Sequence, residues 1–512
     1  VEISPQRGAV DVRSNEPVRV RFDRPMDEAT VTTRLHVSPA VPGSLHWVNE
    51  QEVTFEHSPF GPSSRYQVIL DPGYRDARGI SNSLRHRWSF TTETAPALTG
   101  ASPGAGDRDV DPATYITLSF SREMDSASLR DSVSLSPGVP FDIHQDPTDP
   151  RRVVLAPRSL LDPGQTYGVS VTQDARDVDG NRLDVGRFVS FTTGSFRPLR
   201  HWVTFVAQQS LGESSDGVWI VNQDRFPRQL VAAPVSAFSW SSDGDRLLLR
   251  SPTGDWTDQA LDGVAEPLAI TGEWADYLAP GRGYVFLDRG SLLVLRPDGR
   301  VEPVATGVRS AAVVGGGSRL AFAAADPAVQ GRGSEIWGYD PDLRTRYRLG
   351  SESGAVDGLA WSPDGQSLAY RVDAGDPARR QLRVRSLRDG GVVTVATGAV
   401  SAPVWQADSR HVFVTALVAT RSGSVAKAFR FAIDDPSSKT FSAALGLPGG
   451  PDVAVEALSP SADGHQLAFI SGAGGRPGVW LMNADGTGVT QLTRYDPVRF
   501  PYSCQSAGWT PN

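Results

Sequence analysis

Leu359-Ala360-Trp361-Ser362-Pro363-Asp364-Gly365 leads into Gln366-Ser367-Leu368-Ala369-Tyr370, an aromatic residue, a Ser-x-Asp-Gly turn and an aliphatic strand in succession. The same order returns in Phe238-Ser239-Trp240-Ser241-Ser242-Asp243-Gly244, which runs into Leu247-Leu248-Leu249. Weaker copies stand at Val404-Trp405-Gln406-Ala407-Asp408 and Leu458-Ser459-Pro460-Ser461-Ala462-Asp463-Gly464, and degraded ones at Tyr277–Phe286 and Ala312–Phe322. Each continues with a strand such as Val218-Trp219-Ile220, Glu335-Ile336-Trp337 or Val479-Trp480-Leu481. A turn such as Asn483-Ala484-Asp485-Gly486 and a short outer strand such as Thr490-Gln491-Leu492 follow. Turns of this kind join antiparallel strands, because glycine reaches positive φ at little cost. Four short strands in a repeat of roughly 40–50 residues make one blade of a β-propeller.

Outer strands around Leu230, Leu268, Val304, Leu349, Val395, Leu445 and Leu492 predict seven blades, with six as the alternative count. Inner-strand signals fall one short until the end of the chain, where Ser506-Ala507-Gly508-Trp509-Thr510-Pro511 supplies another. Conversely, His201–Ala207 opens the repeat at a second strand. The expectation is that residues 506–511 complete the first blade of a propeller spanning 196–512, so that no strand edge stays open. The Trp-Ser-Pro-Asp-Gly motif at 361–365 and the Asn-Ala-Asp-Gly-Thr-Gly motif at 483–488 resemble the TolB-type propeller of exported bacterial proteins. That resemblance implies a surface for docking other proteins and names no partner.

Before residue 196 a different repeat occurs twice. Ser4-Pro5 matches Ser102-Pro103, Val20-Arg21-Phe22 matches Leu118-Ser119-Phe120, and Pro25-Met26-Asp27 matches Glu123-Met124-Asp125, each pair 98 residues apart. Tyr66-Gln67-Val68 then matches Tyr167-Gly168-Val169 and Phe90-Thr91-Thr92 matches Phe191-Thr192-Thr193 at an offset of 101, which places a short insertion in the Asp146–Pro150 loop. Val18-Arg19-Val20-Arg21-Phe22 and Ile116-Thr117-Leu118-Ser119-Phe120 alternate with period two, as half-buried antiparallel strands do. Short strands punctuated by Pro and Gly over roughly 100 residues suit a β-sandwich. The opening Ser-Pro, the Met-Asp turn, the Tyr-x-Val strand and the closing Phe-Thr-Thr resemble the bacterial Ig-like domain of surface-layer and other exported proteins. That likeness implies an extracellular spacer or display module and carries no catalytic residue. The reading is therefore an all-β chain: Ig-like sandwiches over 1–95 and 96–195, then the propeller. The Thr92–Pro96 linker and the Gly194–Pro198 junction suggest limited interdomain freedom.

Bulk composition agrees. Apolar residues make up 39%, while 51 Gly and 38 Pro point to many turns and few long helices. A net charge of −8 lacks the basic stripe that phosphate backbones require, so nucleic acid is not an expected partner. The single cysteine, Cys504, permits no internal disulfide, and no stretch is apolar and long enough to span a membrane. The chain opens at Val1 with no methionine, which leads to the expectation that an export signal or anchor was removed upstream.

Chemistry-bearing motifs are sparse. There is no Gly-x-Ser-x-Gly elbow, the eight histidines are scattered, and Gly315-Gly316-Gly317 lacks the lysine of a phosphate loop. Ring closure followed by Asn512 also speaks against a trailing hydrolase domain. His46 and His57 could share neighbouring strands, and the Asp177-Val178-Asp179-Gly180-Asn181 turn has some of the oxygen ligands of a calcium loop. Its glycine comes too early, and a plain turn is the better reading. Asp243, Asp364, Asp408 and Asp463 occupy equivalent blade positions, and so do Trp240, Trp361, Trp405 and Trp509, which argues for structural duty. No catalytic residue, metal or cofactor is expected.

Positions that break the repeat are the functional candidates. Trp256, Trp274, Tyr277, Arg494, Tyr495 and Tyr502 are aromatic or basic residues at irregular places, suited to gripping a protein or a sugar. Cys504 lies in the last of these stretches, as an inert buried thiol or as half of an intermolecular disulfide. The expected function is non-enzymatic: a secreted or cell-surface binding or structural protein, with the sandwiches as stalk and the propeller as docking head. A surface-layer or filament subunit is one form of it, and envelope proteins, copies of itself or polysaccharide are the expected partners. A polysaccharide lyase or glycosidase and the ectodomain of a membrane sensor are the alternatives.

Overall fold

The computed structural model describes residues 1–209, 216–326, 333–373, 375–420, 423–435, 453–497 and 500–511. The chain forms two compact units, Val1–Pro157 with Leu161–Ser195, and Arg158–Leu160 with Phe196–Asn512.

The first unit holds the two sandwiches. In the first, the strands Glu2–Ser4, Val18–Arg21, Glu52–His57 and Gly43–Asn49 form one antiparallel sheet, and Leu35–Ser38, Arg65–Leu70 and His86–Thr91 form the other. Val18 and Val20 are buried while Arg19 and Arg21 are exposed, so the alternation read from the sequence is the alternation of core and solvent faces. The second copy repeats both sheets around Ile116, Leu118, Tyr167 and Phe191. In each copy the Met-Asp turn starts a short helix: Asp27 caps Glu28–Thr32 and Asp125 caps Ser126–Ser132, each carboxylate accepting from the backbone three residues on.

The sandwiches meet at a buried polar junction. Glu93, placed in the linker by the sequence reading, is 1% exposed. Its Oε1 accepts from the Ser14 amide at 3.0 Å and from Asn181 Nδ2 at 2.7 Å, and its Oε2 accepts from Arg122 Nη1 at 2.5 Å. Ser14 Oγ donates to Asn181 Oδ1 at 2.5 Å, and Arg122 Nη2 reaches Asp11 at 2.8 Å. Asp177 accepts from the amides of Asp179 and Asn181, so the suspected calcium loop is a self-bonded turn whose asparagine docks onto the preceding copy. The segment around residue 93 is a latch between copies and not a loose tether.

The second unit contains seven sheets in chain order, six of four antiparallel strands and one, Val404–Trp405 with His411–Thr420 and Gly423–Ala432, of three strands among the described residues. The outer strand expected around Leu445 lies outside the described residues. The first sheet is composite. Ser503–Trp509 pairs with Val203–Gln208, with Val203 opposite Trp509, and the sheet continues through Gly217–Val221 to Arg228–Val231. The C-terminal strand thus gives the first blade its inner edge.

Successive blades are tied by indole nitrogens. Trp361 donates to Ala312 O of the preceding blade at 3.0 Å, Trp405 to Ala360 O at 3.0 Å, and Trp509 to Ser459 O at 2.8 Å. Trp240 uses a side-chain acceptor, Thr204 Oγ1 at 2.9 Å. Tryptophan suits this place because its ring fills the space between blades while its N–H satisfies a carbonyl that water cannot reach. Because Trp509 ties the C-terminal strand to the seventh blade, Trp509→Ala should destabilise the propeller by about 3–5 kcal/mol in urea unfolding of the full chain. Trp509→Phe, which keeps most of the volume and loses the hydrogen bond, should cost about 1 kcal/mol.

Candidate functional site

A departure from the blade repeat that gathers several polar groups lies between the second and third blades. The register that sets Trp361 opposite Leu368, and Trp240 opposite Leu247, sets Tyr277 opposite Tyr284 in the third blade. Tyr277 therefore holds the tryptophan position. On the second blade, Asp258 stands opposite Leu248, where the matching pairs are Val384 opposite Ala369 in the fifth blade, Leu481 opposite Ala468 in the seventh and Arg430 opposite Phe413 in the sixth. A carboxylate has replaced a buried aliphatic residue, and tyrosines face it.

Asp258 is 2% exposed and engages all of its neighbours. Its oxygens accept from Arg246 Nε at 3.0 and 2.9 Å, from Tyr277 OH at 2.7 Å and from Tyr284 OH at 2.6 Å. The two phenol rings pack with centroids 5.6 Å apart. Burial, reinforced by the Asp258 charge, pushes both phenols well above the ordinary tyrosine range, so they serve as hydrogen-bond donors at every physiological pH. Such a carboxylate, with a guanidinium and two hydroxyls on it, is a strut and not a free base.

The strut forms one end of a cleft of about 590 Å³ between the blades, whose lining includes Asp243, Asp245, Glu266, Leu268, Leu278 and Pro280. Asp243 and Asp245 are exposed neighbours in the Ser-x-Asp-Gly loop. Burial and then the adjacent Asp243 raise the Asp245 carboxyl, while the Ser241 hydroxyl lowers that of Asp243. A second cleft, of about 570 Å³, lies at the matching place between the seventh and first blades and is lined by His201, Asp224, Asp463, His465 and Trp509 among others. Among the described residues no cluster of His, Cys, Asp and Glu has the arrangement of a metal site. His46 bonds Ser44 at 2.7 Å, and His57 packs on Phe60 at 3.7 Å between centroids, so each has its own partner.

The structure separates the sequence candidates. Tyr277 sits in the Asp258 cluster. Trp274, at the start of the same strand, is half-buried and packs against the core shared by the third and fourth blades. Trp256 cannot grip a partner, because it is 3% exposed on strand Asp255–Ala260, where it fills the space between blades. Tyr502 is half-buried against Trp219 and Phe500, at centroid distances of 5.2 and 5.3 Å. Arg494 and Tyr495 are exposed, and the Tyr495 ring lies under Arg476 at 4.0 Å. Cys504 is 2% exposed on the closing strand, and burial lifts its thiol to about 12, so it is the inert thiol. Sequence reading missed Asp258, Tyr284 and Arg246. The available signal was a charged residue at a blade position that is aliphatic in Val384 and Leu481.

Residues 1–92 and 93–193 each match the model of the bacterial Ig-like domain. The sequence matches no curated protein. Among solved structures, TolB from Acinetobacter baumannii is similar at 14% identity and a TM-score of 0.38, covering 76% of this chain and 86% of its own. A TolB-like protein from Agrobacterium tumefaciens gives 17% and 0.37, covering 61% and 92%. A quinonprotein alcohol dehydrogenase-like protein from Bacteroides thetaiotaomicron gives 9% and 0.43, covering 81% and 99%. Scores of this size transfer no activity; the propeller assignment rests on the sheets themselves.

Two outcomes follow from the cluster and its neighbour. Asp258→Ala strands Arg246 and two phenol hydroxyls, and should destabilise the full chain by about 3–5 kcal/mol in urea titration. Asp276, adjacent to Tyr277, accepts from Ser239 Oγ at 2.8 Å and from the Tyr277 amide at 2.9 Å, and burial pushes its carboxyl up to about 6. A raised folded-state pKa means that the folded protein holds this proton more tightly than the unfolded chain does. Stability from this group is full below the ordinary carboxylate range and is lost as pH rises through about 6. Asp276→Asn should therefore leave Tm unchanged near pH 4 and raise it by roughly 2–5 °C above pH 7, measured by calorimetry across that range.

Proposed function

We propose that this protein is a non-enzymatic binding protein of the bacterial cell envelope, with the Ig-like sandwiches as spacer and the propeller as docking module. The observation that carries the reading is the Asp258 cluster. Four hydrogen bonds converge on this one carboxylate, two from Arg246 of its own blade and two from Tyr277 and Tyr284 of the next, so polar residues that break the blade repeat join two blades and border an open cleft. A buried ionic strut where the fifth and seventh blades pack Val384 and Leu481 gains little stability, and a shaped recognition surface gives it a purpose. The match of residues 1–193 to bacterial Ig-like domains supports an envelope address and a spacer role. The partners in this reading are envelope proteins or further copies of this chain, including a place as a subunit of a surface layer or filament.

The reading is tested by isolating the full-length protein from the envelope fraction under native conditions and weighing the assembly. A defined complex, with itself or another protein, is expected. A lone monomer that cleaves envelope polysaccharide, with cleavage lost in Asp243→Asn/Asp245→Asn, would replace this reading with the enzymatic one.

A further inference from the structure

The four Ser-x-Asp-Gly-type loops differ in what faces their aspartate. In the sixth blade, Asp408 pairs with His411 Nδ1 at 2.6 Å and lies 3.9 Å from Arg430 Nη2. In the fifth, Asp364 is in the field of Arg388, and in the seventh, Asp463 is in the fields of His465 and His201. Basic side chains of the propeller itself thus act on each of these carboxylates, within 3.9 Å in the sixth blade. In the second blade the position that is Arg410 in the sixth and His465 in the seventh is occupied by Asp245, a second carboxylate. The ion pairs there, Arg246 with Asp258 at 2.9 Å and with Glu266 at 3.9 Å, leave Asp243 and Asp245 out.

The rest of the cleft has the same imbalance. Four carboxylates, Asp243, Asp245, Asp258 and Glu266, line it against the guanidinium groups of Arg246 and Arg296. Both arginines are engaged, Arg246 on Asp258 and Arg296 on Glu302 at 2.9 Å and Pro341 O at 3.1 Å. Leu268, Leu278 and Pro280 give the same space an apolar stretch of wall. An acidic rim beside an aliphatic wall is complementary to one kind of side chain, a hydrocarbon stem carrying a cationic head.

We propose that the cleft between the second and third blades docks a basic segment of a partner protein, whose Arg or Lys takes the place that basic side chains of the propeller serve in the fifth, sixth and seventh blades. The head lies between Asp243 and Asp245, with Glu266 at the rim, and the stem packs along Leu268, Leu278 and Pro280. Tyr277 and Tyr284 line this space too, with their hydroxyls donated to Asp258 at 2.7 and 2.6 Å and so committed away from Asp243 and Asp245. A guanidinium offers a bidentate fit to two adjacent carboxylates, so Arg is preferred to Lys. The inference rests on the binding reading and deepens it.

The test uses the full chain and a fluorescein-labelled decapeptide of alternating Arg and Ala, with a Glu and Ala decapeptide as control, read by fluorescence anisotropy. The Arg peptide should bind, more weakly as salt rises, and the Glu peptide should not. Asp243→Asn/Asp245→Asn should weaken binding at least fivefold. Asp245→His, which installs the residue of the seventh blade and is compatible with the fold there, should do the same. Asp389→Asn/Asp485→Asn removes equal charge from exposed turns of other blades and should change affinity less than twofold. Equal losses in the two double variants, unchanged affinity in Asp245→His, or no binding of the Arg peptide would each overturn the proposal. Absent peptide binding alongside a defined native assembly would overturn it and leave the binding reading intact.

Discussion

The propeller depends on the pairing of Ser503–Trp509 with Val203–Gln208, two strands at opposite ends of the unit. Without it the first sheet would lose its inner strand and Val203–Gln208 would present an open row of backbone donors and acceptors. With it the seventh blade gains a neighbour, because Trp509 lies on the closing strand and donates to Ser459 O of that blade. Closure is therefore a set of hydrogen bonds of the same kinds that join every other pair of strands and blades, and its entropic cost is that of a very long loop, which grows only slowly with length. Cys504 sits buried on this strand, where a thiol behaves as a small apolar side chain.

The indole contacts set the spacing at which the blades can differ. At Trp361, Trp405 and Trp509 the ring occupies the gap and its nitrogen reaches a backbone carbonyl of the preceding inner strand. Tyr277 has a smaller ring and a donor at its tip, so it meets a different group, Asp258 on the third strand of the preceding blade. That single exchange requires the others. A buried carboxylate needs a cation, which Arg246 provides, and further donors, which Tyr277 and Tyr284 provide. The four residues form one unit, and a cleft next to it is the geometric consequence of polar side chains that hold two blades together without filling the space between them.

Much of the architecture was legible because it is repeated. The period-two pattern of Val18–Phe22 is the burial pattern of its strand, and the Trp-Ser-Pro-Asp-Gly copies mark the turn between first and second strands of their blades. The lone aromatic strand at the C-terminus could be placed only because the first blade lacked one. What stayed hidden depends on pairing across blades. Asp258 reads as one more acidic residue in a polar stretch until the ladder opposite Leu248 shows that its side chain points into a core. Trp256 invites the opposite error: its irregular position suggested a contact loop, whereas the strand buries it. Glu93 has the same origin, since a charged residue in a short Pro-containing segment gives no sign that three donors converge on it from two copies of a domain.

The junction at Glu93 also explains why two copies of one domain are not interchangeable. At the offset of 101 that relates the copies, Glu93 corresponds to Gly194 and Asn181 corresponds to Ile80. The first copy has the carboxylate and lacks the asparagine, and the second has the asparagine and lacks the carboxylate. Ile80 is 62% exposed, while Asn181 is 3% exposed and bonded to Glu93 and Ser14. A buried carboxylate without its donors would cost several kcal/mol, so each substitution is tolerable only in the copy where it stands. The duplication has diverged into a complementary pair, and the propeller shows the same physics at Asp258, a carboxylate among blade cores that Tyr277 and Tyr284 of the neighbouring blade have changed to receive.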